Sequence, residues 1–113
     1  SAASDVYKRQ IYESVDESPT FPGGFKALLK YLAKNIQYPQ EAVKSMIQGK
    51  VILQFVIERD GTIGDLGVRQ GVDPLLDAEA IRVVRSMPRW TPGKKDDKAV
   101  RCHFILPVVF CLK

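Results

Sequence analysis

The sequence is poor in the residues that catalysis and metal binding draw on. It holds one histidine, His103, too few for a multi-histidine metal site. On a strand, Cys102 and Phe104 point away from His103, so a Cys/His nucleophile pair is disfavoured. The two cysteines, Cys102 and Cys111, stand nine residues apart in the same segment. On one strand they would lie roughly 30 Å apart on opposite faces, which excludes a bridge between them. Gly23-Gly24 precedes a helix without the Lys-Ser/Thr of a phosphate loop, and Asp60, Asp65, Asp73 and Asp77 lack calcium-loop spacing. The serines are few, and none occupies a Gly-x-Ser-x-Gly elbow. These gaps give no reason to expect an enzyme, a cofactor or a metal.

Long apolar runs are missing too. The longest, Phe104 to Leu112, is about half the ~20 residues of a membrane-spanning helix. Ser1-Ala2-Ala3-Ser4 has no apolar stretch of a signal peptide, so a mature or truncated piece is expected. What remains is ordinary globular material. The chain has 113 residues, 45% hydrophobic and 27% charged, with a net charge of +4. That size supports a single hydrophobic core.

Residues 1–22 read as an extended lead-in that carries Asp5, Glu13, Asp16 and Glu17, and 23–113 as the domain. The stretch Ser18-Pro19-Thr20-Phe21-Pro22-Gly23-Gly24 cannot continue a helix or a central strand. From Phe25 the residues Phe25, Leu28, Leu29, Leu32 and Ile36 recur at helical spacing, predicting a helix to about Asn35. A short second helix after Pro39 takes Ala42, Val43 and Met46 as its apolar side. Val51, Leu53, Phe55 and Ile57 then alternate as a strand, and Asp60-Gly61 supplies a hairpin turn. The returning strand, with Gly64 and Gly67, is expected to be bulged.

Asp73-Pro74 caps a third helix, with Leu76, Ala80, Val84 and Met87 on one face, and Pro88 stops it. Trp90 reads as a lid over the core, and Lys94 to Lys98 as a charged loop. A last strand from near Ala99 puts Val100, Cys102, Phe104, Leu106, Val108, Phe110 and Leu112 on one face. Pro107 lies inside it. Proline gives no N–H to a ladder, so this strand is expected to have a free edge, which can accept an extended peptide or a second copy of the chain. From Arg82 to Arg101, Arg82, Arg85, Arg89, Lys94, Lys95, Lys98 and Arg101 face only Asp96 and Asp97. This basic segment suits phosphates, a cell-wall polymer, an acidic peptide or plain solvation. No aromatic row is interleaved with it, so nucleic acid is not the expected partner.

The ordered set Tyr38-Pro39, Ile47-Gln48-Gly49-Lys50-Val51, Phe55-Val56-Ile57, Asp60-Gly61-Thr62-Ile63, Leu76-Asp77, Glu79-Ala80-Ile81, Ser86-Met87-Pro88, Trp90, Pro92-Gly93 and Val100-x-x-x-Phe104 resembles the C-terminal domain of the TonB energy-transducer family. The likeness runs over about residues 36 to 112, and Phe21-Pro22-Gly23-Gly24 resembles the Bacteroidetes-type version. Where the proteobacterial pattern has glutamine and proline, this chain has Asn35 and Ile36.

The resemblance implies a two-layer α+β fold: a three-stranded antiparallel sheet packed with two main helices, plus a short helix. It further implies a periplasmic domain on a membrane-anchored arm that binds the TonB box of TonB-dependent outer-membrane transporters by strand addition. That arm couples them to the proton-driven inner-membrane motor. The edge formed by Val100, Arg101, Cys102, His103, Phe104, Ile105 and Leu106 would receive the peptide, with Gln37 and Tyr38 nearby. The alternatives are an envelope or scaffold domain binding peptidoglycan or another anionic polymer, or the TonB-like tail of a membrane sensor or metallopeptidase.

Overall fold

The computed structural model describes residues 11–12 and 14–112. The acidic lead-in residues Asp5 and Glu13 lie outside them. The elements are β1 (Ile11–Tyr12), α1 (Phe25–Asn35), α2 (Gln40–Lys44), β2 (Gly49–Ile57), β3 (Ile63–Gln70), α3 (Pro74–Arg85), β4 (Gly93–Lys95) and β5 (Lys98–Phe110). The α+β class is as expected, but the described sheet has five strands rather than three. Its order is β1-β5-β2-β3, with β4 also paired to β5.

The three helices start and stop where side-chain chemistry places them. Asp73 accepts the Leu75 N–H at 2.9 Å and Pro74 opens α3, which buries Leu76, Ala80, Val83 and Val84. On α1, Leu28 and Leu32 are buried, while Phe25 and Leu29 are 68% and 49% exposed. Helix geometry explains Leu29: at about 100° per residue it points roughly 80° away from the midline of Leu28 and Leu32. Phe25 stands at the first residue, beside an open cavity instead of packed neighbours. On α2 only Ala42 of the expected apolar side is buried. Val43 is half-exposed and Met46 is 77% exposed. The helix ends at Lys44, and Met46 has already turned left-handed at φ 55°, which breaks the helical spacing that grouped them.

The β2–β3 hairpin turns over Glu58 to Thr62. Gly61 N–H donates to Glu58 O at 2.9 Å and Glu58 N–H to Thr62 O at 2.8 Å, with Gly61 at φ +87°. This is a three-residue loop closed by a left-handed glycine. The expected irregularity of β3 is present as two register shifts against β2, with Asp65 at φ 47°. The segment expected as a charged loop is instead the β4–β5 hairpin, which moves the start of β5 to Lys98. Its two central residues, Asp96 and Asp97, both have positive φ (52° and 63°), the geometry of a primed two-residue turn.

The lead-in is bonded into this frame. β1 lies parallel to Arg101 and Cys102, Glu17 and Lys94 exchange backbone bonds at 2.8 and 3.0 Å, and Thr20 and Thr91 do the same at 3.0 and 2.8 Å. Phe21 is buried, with its ring 5.5 Å from Tyr31 and 5.6 Å from Trp90. The core forms where the alternating rows of β2 (Val51, Leu53, Phe55, Ile57) and β5 (Leu106, Val108, Phe110) meet the helices, and Val100 and Cys102 are buried further along the same row of β5. Trp90 covers that core as expected, against Phe55 at 5.9 Å and Phe104 at 4.8 Å.

Candidate partner-binding edge

Which side of β5 is open follows from bonding parity. Alternate residues of a strand bond to opposite sides. Glu58 bonds across to Thr62, so Ile57, Phe55 and Leu53 turn their backbone groups toward β5. β2 and β5 then run in unbroken register from Ile57–Cys102 to Gly49–Phe110, which directs the even-numbered groups of β5 at β2. Lys94 gives an independent check. It bonds outward to Glu17, so Gly93 and Lys95 face β5, and they pair with the even-numbered Val100 and Lys98. β4 therefore continues along the side of β5 that β2 leaves.

The odd-numbered groups of β5 look the other way. There β1 covers Arg101 and Cys102, and no other described strand lies alongside from His103 to Phe110. Pro107 falls on this outward side, where its missing N–H costs the β2 ladder nothing. The edge expected over Val100 to Leu106 is thus occupied at its start and open from His103 onward. The reason is nonlocal: the strand that covers Arg101 and Cys102 comes from ninety residues earlier in the chain.

The side chains on this edge divide between two faces. Val100, Cys102 and Leu106 are buried, and Phe104 is partly buried against Phe55 at 5.6 Å. Burial pushes the Cys102 thiol pKa up, and neither it nor the exposed Cys111 is bridged, as expected. On the other face Arg101 pairs with Glu58 at 2.7 Å and approaches Asp65 at 3.6 Å. The Glu58 carboxylate holds the Arg101 pKa above the usual arginine value. His103 Nδ1 lies 3.3 Å from Gln54 Nε2, and Arg69 Nη1 donates to Gln54 Oε1 at 3.5 Å. Gln54, Arg69, His103 and Ile105 line a shallow depression beside the open edge.

Val109, 64% exposed, extends the same outward row. The edge read from the sequence ends at Leu106, although the odd-number alternation that exposes Ile105 also exposes Val109. Gln37 and Tyr38 lie at the joint between α1 and α2, Gln37 exposed and tied through its backbone, Tyr38 half-buried and tied through its hydroxyl. The Gln37 N–H donates to Glu79 Oε2 at 2.6 Å, and the Tyr38 hydroxyl donates to Ile47 O. Tyr38 also meets Phe110 edge-on at 5.6 Å. Burial, then the nearby Cys111, raises the Tyr38 pKa.

The basic segment is spread over α3, the connection that follows it, β4 and β5. Arg82 is spent on Glu79 at 2.7 Å and on Asn35 O at 2.9 Å. Arg85 and Arg89 line a cleft of about 400 Å³ with β3 residues Ile63 to Leu66. Lys95 sits 5.9 Å from the Tyr12 ring, and Lys95 and Lys98 line a smaller cleft of about 140 Å³ there. Lys94 serves β4 through its backbone.

Among the described residues, no group of His, Cys, Asp and Glu could hold a metal ion. No described helix is long and apolar enough to cross a membrane.

Comparison with known proteins bears on the whole of this arrangement. The family model described as Gram-negative bacterial TonB protein C-terminal matches residues 34–112. No curated protein matches the chain. Two NMR solution structures of Helicobacter pylori TonB-CTD share the fold. One is 24% identical with a TM-score of 0.58 and covers 78% of this chain and 92% of its own. The other is 23% identical with a TM-score of 0.57 and covers 81% of this chain and 87% of its own. At that identity the likeness carries the fold, and the match over residues 34–112 carries the family. The chain belongs to the TonB C-terminal domain family.

Proposed function

We propose that this domain is the receptor-contacting end of a periplasmic energy transducer. It binds the TonB box of outer-membrane transporters by strand addition and works by binding, with no catalytic step of its own. The supporting observation is the outward side of β5 from His103 to Phe110, which has no strand partner among the described residues. An extended peptide added there gains main-chain bonds from His103, Ile105 and Val109 and acceptance by the Pro107 carbonyl. Coupling to the proton-driven inner-membrane motor then runs through an anchored arm on the N-terminal side.

The test is an NMR titration of the isotope-labelled chain with synthetic TonB-box peptides at low and moderate salt. Strand addition predicts amide shifts concentrated on His103 to Phe110 that survive the added salt, because backbone bonds are little screened. Salt-labile shifts around Arg82 to Lys98, produced by soluble peptidoglycan fragments and not by peptide, would replace this reading with a polymer-binding scaffold.

A further inference from the structure

A cavity of about 100 Å³ opens between the start of α1 and β5, lined by Pro19, Phe25, Leu28, Trp90 and Phe104 among others. It touches Phe104 of β5 but no residue of β2. The β2 side of Phe104 is filled by Phe55. Phe104, the β5 wall of this cavity, belongs to the strand whose outward side has no described partner from His103 onward. The cavity's outer wall is Phe25, an aromatic ring left 68% exposed at the head of α1. Pro19 and Phe25 precede residue 34, so this wall is an addition to the segment that matches the family.

A strand added to β5 alternates its side chains between the two faces of the sheet. One of them falls beside Phe104 on the face of the sheet that carries this cavity. We infer that this cavity selects one aliphatic side chain, of valine or leucine size, in the incoming strand; the inference rests on the strand-addition reading above. The size argues for aliphatic over aromatic: a cavity of ~150 Å³ is what benzene occupies, and this one is smaller. Its lining is almost wholly apolar, so a charged or amide side chain would be desolvated there without a partner.

The experiment uses a TonB-box octapeptide in which each position in turn is replaced by Gly, Ala, Val, Leu and Phe. Each is titrated against the unaltered chain and against Phe25→Ala. One position is expected to bind about tenfold more tightly with Val or Leu than with Ala, the worth of roughly two buried methylene groups. Phe at that position should gain nothing further, and the preference should shrink several-fold in Phe25→Ala. Phe25→Leu, which keeps an apolar wall, checks that any loss is not a folding defect. Shifts at His103 to Val109 with no dependence on side-chain size at any position would overturn the cavity's role and leave strand addition standing. An absence of shifts at that edge with every peptide would remove both.

Discussion

The Trp90 backbone N–H donates to Gly61 O at 2.8 Å, and a Cβ built on Gly61 would collide with Trp90 O. The tip of the β2–β3 hairpin is thereby fastened to the segment that leaves α3, at the point where Trp90 enters the core. Gly61→Ala must relieve that collision and also adopt φ +87° with a side chain. The expected cost is at least ~2 kcal/mol, measured by denaturant unfolding. Loss of near-ultraviolet tryptophan dichroism should accompany it, because the anchored residue is Trp90 itself.

Glu79 ties the joint before α2 to α3. Its carboxylate accepts Arg82 twice at 2.7 Å and the Gln37 N–H at 2.6 Å. These bonds, Arg82's foremost, hold its pKa below the ordinary 4.5. A lowered folded-state pKa gives stability that is present above the unfolded value and is lost as pH falls through the folded one. Glu79→Gln should therefore be less stable than the parent by about 1 kcal/mol at neutral pH. The difference should narrow as pH falls below about 4.5, and a series of unfolding curves between pH 7 and pH 3 would show it.

Much of the frame was legible because its signals are local. Asp73-Pro74, the Pro88 stop, the Asp60-Gly61 turn and the row from Val100 to Phe110 each depend on residues a few positions apart, and each lies where its spacing put it. The β4–β5 hairpin was hidden because its turn is Asp96-Asp97, with no glycine to announce the positive φ values. The pairing of Ile11 with Arg101 and the bond from Gln37 to Glu79 join residues 90 and 42 positions apart, which no local period encodes. The open side of β5 was legible only in part. Pro107 announced an edge, but its direction and starting point follow from the hairpin bonds at Glu58 and from the strap of β1.

The two cysteines should separate cleanly in reactivity. Cys102 is buried on β5 with its thiol pKa raised by that burial, whereas Cys111 is exposed just beyond the strand. The thiolate is the reactive form, and access to it is required. An aromatic disulfide reagent at pH 8 should modify one equivalent of thiol within minutes and the second only with denaturant. Cys111→Ser should abolish the fast phase and leave stability unchanged.

Two proline substitutions on adjacent residues of β5 test the bonding parity that defines the edge. Leu106 is buried, sits opposite Leu53 and turns its N–H into the β2 ladder, so Leu106→Pro removes an internal bond and disrupts the sheet. It should destabilise the fold by at least ~2 kcal/mol. Ile105 is 47% exposed and turns its N–H outward, beside Pro107, which already occupies that side of the strand. Ile105→Pro should leave the fold intact with at most ~1 kcal/mol of change, yet weaken a strand-adding peptide about tenfold, because the bond lost is one offered to the partner. Unfolding curves and a peptide titration on both variants decide it. Equal destabilisation by the two prolines would mean that the outward side of β5 is bonded within the domain and is not an acceptor edge.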